Sequence, residues 1–359
     1  MLKNDSCKYD FVVKGAYGTG NFGDDALFEV IYSQLPKGSR VAIIARNSGY
    51  LNKNYPLVDV FHPNDVIDIE CDYYIYGGGT QFYLFPSSNS LLFKIKYHFI
   101  NPTYLINKLL NRGLRINYTK KIGIGLGLGP FYTENTPKFV RIIRELKAFE
   151  SLSVRDQKSF DFCLKHQING VQLNTDLCFI KKLPIIERGE KSAVILRDWI
   201  HDDIGRKHFP AIKEYLIQNK DVTDLVLFAH DKEWIDFALE HDIELLKWEP
   251  KTDSSNQFIE KISKYKFFIS SRFHGVVYGT LLGIPAIAIE IEPKLRIGAS
   301  LNTGLIWQGS FELSDLYTKV EHLNKHYSEY LSQLNTIRDK KYTEVSELFN
   351  TFLRSNSKS

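Results

Sequence analysis

The sequence predicts an α/β protein of two doubly wound, Rossmann-like domains facing a cleft. Short runs rich in β-branched residues alternate with helical stretches along nearly the whole chain, the pattern of parallel sheets covered by helices on both faces. The alternation falls into two blocks, parted by the polar stretch Lys181–Lys191 (KKLPIIERGEK), which holds a proline and a glycine. With 359 residues and 43% hydrophobic content, the chain has material for two cores. On this reading residues 1–185 form an N-terminal domain with a basic aromatic insertion at about 91–121, 190–310 a C-terminal domain, and 311–359 closing helices and a polar tail.

In the first block, Tyr9–Val13 reads as a strand and GAYGTGNFGDDALFEVI (Gly15–Ile31) as a glycine-rich loop entering a helix. Asn21, Asp24 and Asp25 are candidate caps. The loop matches neither the dinucleotide fingerprint nor the P-loop, so neither a nicotinamide nor an ATP site is expected. It is either a structural turn or, lying between a strand and a helix, part of a site at the sheet's carboxyl edge. Arg40–Ala45 and Asp72–Tyr76 are the next strands, the latter ending in Gly77-Gly78-Gly79-Thr80. That turn either is merely flexible or offers Gly78 and Gly79 backbone N–H groups to an oxygen-rich ligand.

Between Tyr73 and Thr133 there is no acidic residue, while Leu91–Leu114 is apolar, aromatic and basic. This segment is either a membrane-surface or phosphorylated-partner contact, or a helical hairpin with a solvated basic face. Lys121–Pro130 (KIGIGLGLGP) predicts a strand whose glycines, Gly123, Gly125, Gly127 and Gly129, share one bare face. A helix over Pro137–Phe149 and a strand at Ser151–Arg155 follow; Arg155 either contacts an anion or pairs with Asp156.

The second block repeats the rhythm: strands at Ala193–Leu196 (with Arg197 at its end), Asp224–Ala229 and Glu244–Lys247, helices at about Phe209–Gln218, Glu233–His241 and Asn256–Ser263. Its densest stretch is ISSRFHGVVYGTLLGIPAIAIEIEPK, Ile269 to Lys294. A strand end at Lys266–Ser270, a helix capped by Ser270 or Ser271 and stopped at Gly283, and a strand at Ala286–Ile291 make a parallel crossover unit. Arg272 and His274 fall in the first turn of that helix. Free N–H groups and the positive dipole end favour an anion there. Arg272 adds a planar fork for a carboxylate or phosphate, and His274 a group that gives or takes a proton near neutral pH.

Composition narrows the class. A net charge of +4 is too small to imply nucleic acid. Four cysteines, Cys7, Cys71, Cys163 and Cys178, without a C-x-x-C pair, suit a reducing compartment and argue against a zinc site or disulfide frame. Met1–Asp10 does not read as a signal peptide, and no apolar run is long enough to span a bilayer. A cytoplasmic protein is expected, peripheral at the inner membrane face if the basic segment docks there.

These motifs, taken together and in order over residues 15–294, resemble the polysaccharide pyruvyl transferase family: GAYGTGNFGDDAL, YIYGGGTQF, IGIGLGLGP, SVRD, and ISSRFHGVVYGTLLGIPAIAI followed by Lys294, with Ser-Arg-x-His the sharpest. The resemblance implies a fold like glycosyltransferase-B, with an acceptor-side first domain, a donor-side second domain and an active site in the cleft. It implies transfer of pyruvate from phosphoenolpyruvate to a sugar of a bacterial surface polysaccharide or its lipid-linked precursor. By matching motifs, Arg272 and His274 would be active-site residues, Lys294 a donor contact, Arg155 a further candidate and Asp24 an acidic residue at the cleft. Ser271, Asn21, Gly78 and Gly79 complete the expected substrate-binding set, with His274 and Asp24 as the proton-transfer pair. No cofactor or metal is expected, since phosphoenolpyruvate is itself the donor. The competing readings are a nucleotide-sugar glycosyltransferase on the same architecture and a non-catalytic saccharide-binding protein.

Overall fold

A computed structural model describes residues 7–84, 113–134, 136–199 and 203–354. The chain forms two compact units, one of Met1–Thr19 with Leu27–Leu177, the other of Gly20–Ala26 with Cys178–Ser359. The basic aromatic segment lies, up to residue 112, outside the described residues.

In the first unit the order is β1 (Cys7–Lys14), helix α1 (Phe22–Gln34, of which the residues from Leu27 belong here), β2 (Val41–Ile44), α2 (Gly49–Asn54), β3 (Asp59–Phe61), β4 (Asp68–Gly77), β5 (Thr80–Leu84), β6 (Arg115–Phe131), α3 (Pro137–Lys147), β7 (Ser151–Val154), α4 (Gln157–Lys165) and β8 (Val171–Leu173). The strands pair in parallel in the order β3-β2-β1-β4-β6-β7-β8, with β5 on β6. Strand order reverses between β1 and β4, so the crevice at their carboxyl ends is where this topology places a ligand. The glycine-rich loop leaves β1 and the Gly77–Gly79 turn leaves β4 at that point.

The glycines of β6 do not share one bare face as the alternation predicts. Pairing with β7 slips between Gly123 and Leu126, and Gly125 has φ +62, a left-handed backbone that turns the strand over and ends its simple alternation. The space beside Gly125 is filled by Leu177 and that beside Gly127 by the Arg155 guanidinium.

Under α3 the sheet carries a polar knot. The Tyr76 hydroxyl donates to Glu145 Oε1 at 2.6 Å, Lys14 Nζ donates to the Tyr76 oxygen at 3.1 Å, and Lys121 Nζ lies 3.5 Å from the same Glu145 oxygen. Burial pushes the Glu145 carboxyl up, but Tyr76, Lys121 and Lys14 together pull it further the other way, leaving it below its ordinary value of 4.5.

In the second unit the order is β9 (Ser192–Leu196), α5 (Phe209–Gln218), β10 (Thr223–Leu227), α6 (Lys232–His241), β11 (Leu245–Lys247), α7 (Ser255–Ile262), β12 (Phe268–Ser270), α8 (Phe273–Leu282), β13 (Ala286–Ile289), α9 (Lys294–Ser300), β14 (Ile306–Trp307), α10 (Leu313–Lys325) and α11 (Tyr327–Arg354). The strands run parallel in the order β11-β10-β9-β12-β13-β14. Every residue of β9, β10, β12 and β13 is buried, as a sheet covered on both faces requires. Here the order reverses between β9 and β12. No helix among the described residues is long and apolar enough to cross a membrane.

Candidate active site

The carboxyl ends of β9, β10, β12 and β13 carry, in turn, Arg197, Asp231, Arg272 and the Glu292–Lys294 turn. Arg197 and Arg272 therefore flank the reversal between β9 and β12, the default ligand position of such a sheet. Sequence reasoning expects Ser270 or Ser271 to cap α8. In the structure Arg272 holds the N-cap position with extended backbone, and the Ser270 hydroxyl accepts the Arg272 N–H at 3.1 Å. The helix thus starts one residue later than a Ser271 cap would give and two later than a Ser270 cap, which puts the Arg272 side chain outside the helix and across the strand ends. Its Nε donates to the Leu196 carbonyl at 2.9 Å and its Nη2 to the Asp231 carboxylate. Only 10% of the Arg272 side chain is exposed. Burial lowers its pKa and Asp231 opposes this; the Arg197 charge lowers it further, while Asp231 hydrogen bonding and Asp24 raise it. A guanidinium stays charged through such shifts. No hydrogen bond to Nη1 occurs among the described residues. Ser271 is buried beneath, its N–H 2.9 Å and its hydroxyl 3.4 Å from the Ile195 carbonyl.

His274 stands at the second position of α8, half-buried, with its ring against Gly23. A Cβ at Gly23 would lie 2.2 Å from His274 Nδ1, so only a glycine lets the loop approach this closely. The loop is held by its neighbour. Phe22 is fully buried among Phe228, Trp248, Phe258 and Tyr278, with ring centroids 4.8–5.4 Å away, and its N–H donates to the Phe228 carbonyl at 2.8 Å. One residue beyond Gly23, Asp24 accepts the Asn21 side-chain amide at 2.6 Å. Asn21, Asp24, Arg272, His274 and Lys294 thus all belong to the second unit.

Lys294 opens α9 and lies 2.8 Å from Glu292, which is also 3.4 Å from Arg197 Nη1. Arg197 in turn lies over the Trp199 ring at 5.2 Å. Three cations here face three carboxylates, Asp24, Asp231 and Glu292. What they offer is therefore a set of oriented donors rather than a bare positive patch. Sequence reasoning marks Arg197 only as a strand-end residue and misses Asp231, Glu292 and Gly23.

Arg155, Gly78 and Gly79 lie in the first unit. Arg155 turns to Asp176 rather than to Asp156: its Nη1 is 3.0 Å from Asp176 Oδ2 and its Nη2 donates to Thr80 Oγ1 at 3.2 Å. Asp156 is occupied as the cap of α4, taking the Ser159 N–H at 2.8 Å. The Gly78 N–H, expected to be open, donates to the Ile124 carbonyl at 2.8 Å, and the Gly79 carbonyl accepts from Gly127 at 2.9 Å.

Solved structures resemble this chain in fold. Anabaena Alr3699/HepE in complex with UDP-glucose has a TM-score of 0.56 at 8% identity, over 97% of this chain and 99% of that one. The glycosyltransferase WaaG, involved in lipopolysaccharide biosynthesis, has a TM-score of 0.53 at 11% identity, over 95% and 99%. UDP-GlcNAc 2-epimerase from Neisseria meningitidis has a TM-score of 0.51 at 12% identity, over 97% and 100%. The fold is that of glycosyltransferase-B enzymes and these epimerases, α/β with two parallel sheets. A comparison with curated protein sequences found no match. The profile of the family described as polysaccharide pyruvyl transferase matches residues 21–293, from the Asn21 loop through the Ser-Arg-x-His turn to the residue before Lys294. The chain therefore belongs to the polysaccharide pyruvyl transferase family.

Proposed function

We propose that this protein transfers pyruvate from phosphoenolpyruvate to a sugar of a surface polysaccharide or its lipid-linked precursor, forming a ketal and releasing phosphate. The observation that carries this reading is the gathering of Arg272, His274 and Asp24 in one unit of a chain that belongs to the family. A sugar hydroxyl attacks the enol carbon while a proton adds to the methylene, giving a phosphorylated tetrahedral adduct. A second hydroxyl of the same sugar then displaces phosphate and closes the ketal. One of the two hydroxyl protons ends on the methyl group and the other leaves with phosphate.

His274 supplies the proton to the methylene, and Asp24 receives one from the attacking hydroxyl, its carboxylate steadied by Asn21. Arg272 turns its Nη1 to a donor oxyanion, and Arg197 and Lys294 exchange part of their hold on Glu292 for the donor's second anion. Ser271 anchors the turn from below. Arg155 keeps its outer nitrogens on Asp176 and Thr80, so we give it the shaping of the Gly78–Gly79 turn on the acceptor side rather than a donor contact. A cytoplasmic site, peripheral to the membrane, fits a lipid-linked acceptor.

The test is incubation of candidate saccharide acceptors with phosphoenolpyruvate, following free phosphate and acceptor mass, with UDP-sugars in parallel. His274→Ala is expected to lower turnover on the order of 100- to 10,000-fold while the circular dichroism spectrum is kept. Turnover with UDP-sugars and none with phosphoenolpyruvate would overturn the reading.

A further inference from the structure

Asp231 stands at the N-cap of α6, where an aspartate ordinarily accepts the N–H groups of the first turn. It makes no such bond. Its Oδ1 accepts the backbone N–H of Asp198 at 2.9 Å, and its Oδ2 accepts Arg272 Nη2. The N–H of Glu233 goes instead to Asp198 Oδ2 at 3.3 Å. A neighbouring strand end has thus taken over the cap, and the carboxylate best placed to cap is turned to the guanidinium.

This exchange is unfavourable if capping is all that is needed. It brings two carboxylates together and takes an ion pair largely out of water, Arg272 and Asp231 each being 10% exposed. Burial, aided by the Asp231 and Glu233 charges and opposed by the Glu233 and Trp234 N–H groups, raises the Asp198 pKa. What the exchange secures is the plane of one guanidinium. With Nε on Leu196 and Nη2 on Asp231, rotation of the fork is fixed at two points and the direction of Nη1 is set.

We infer that Asp231 is a positioning residue for donor binding: it acts through Arg272, holding the guanidinium so that Nη1 meets the donor oxyanion in one orientation. The donor's identity rests on the pyruvyl-transfer reading; the hold on Arg272 does not.

The experiment compares Asp231→Asn, Asp231→Ala and Asp198→Ala in the full chain. It reads phosphate release from phosphoenolpyruvate together with nitrogen NMR of labelled arginine side chains, Arg272 being assigned by loss of its signals in Arg272→Lys. Asp231→Asn is expected to raise KM for phosphoenolpyruvate about tenfold or more, Asp231→Ala further, with kcat moving less. The separate Nη resonances of Arg272, a mark of slow guanidinium rotation, should merge in Asp231→Ala. Asp198→Ala, which removes the cap alone, should lower Tm and leave KM and the Arg272 resonances as in wild type. Asp231 variants that lower Tm only, with both other readouts unchanged, overturn the inference. If wild type releases no phosphate from phosphoenolpyruvate, the pyruvyl reading fails by itself, and the Arg272 resonances still decide the role of Asp231.

Discussion

At the scale of the residue, Gly23 is tightly constrained by the site's own histidine. A methyl group there would stand 2.2 Å from His274 Nδ1 and 3.0 Å from the histidine's own Cβ, so the ring cannot clear it by a small tilt. Gly23→Ala is expected to lower kcat about 100-fold through displacement of the imidazole, with Tm little changed. Steady-state phosphate release beside a thermal melt measures both, and wild-type kcat in this variant would remove the contact from the mechanism. Arg272 and His274 stand out in the sequence as a pair: each alone has a ready bland use, and it is their meeting at one strand-to-helix junction that marks a candidate site. Gly23 does not stand out, since the chain shows four glycines from Gly15 to Gly23 and only the three-dimensional approach of the ring tells them apart. Asp231 is illegible for the opposite reason: at a helix start an aspartate already has a sufficient explanation.

At the scale of the element, helices with clear punctuation are read well. The helix expected at Phe209–Gln218 has those limits, set by Pro210 in its first turn and Asn219 at its end. The glycine-rich strand is read as a strand but with the wrong facing, because a bulge is a matter of local φ that alternation cannot reveal. The polar knot under α3 is equally invisible, since sheet register brings Lys14, Tyr76 and Lys121 together and only the packing of α3 brings Glu145 to them. It yields a pH effect of definite sign. A carboxyl whose folded pKa lies below 4.5 stabilises the fold above 4.5, and that contribution is lost as pH falls through the lower folded value. Urea unfolding across that acid range should show a steeper loss of stability in wild type than in Glu145→Gln. Equal slopes would mean that the knot does not bind its proton differently on folding.

At the scale of the whole molecule, the alternation of strands and helices in two blocks was enough to announce two parallel sheets. Membership of the units was harder to read. By contact the first unit ends at Leu177, and Cys178 and Phe179, both buried, count with the second. Residues 20–26 join that second unit although Asp25 and its partner Trp248 are 223 positions apart, a relation no local pattern carries. A fragment of residues 178–359 should therefore leave open the hollow lined by Phe228, Trp248, Phe258 and Tyr278. It should bind a hydrophobic dye and melt below the same fragment preceded by residues 20–26; identical melts would show that Phe22 adds nothing to the fold of this unit. For the growing chain the arrangement sets an order of events. The ribosome releases the Phe22 segment some two hundred residues before the rings that hold it, and that ring must then stay soluble, unmatched, until translation has delivered Trp248 and Tyr278. Its final seat forms late, so aggregation during synthesis is the hazard that a tight aromatic anchor far upstream of its seat brings with it.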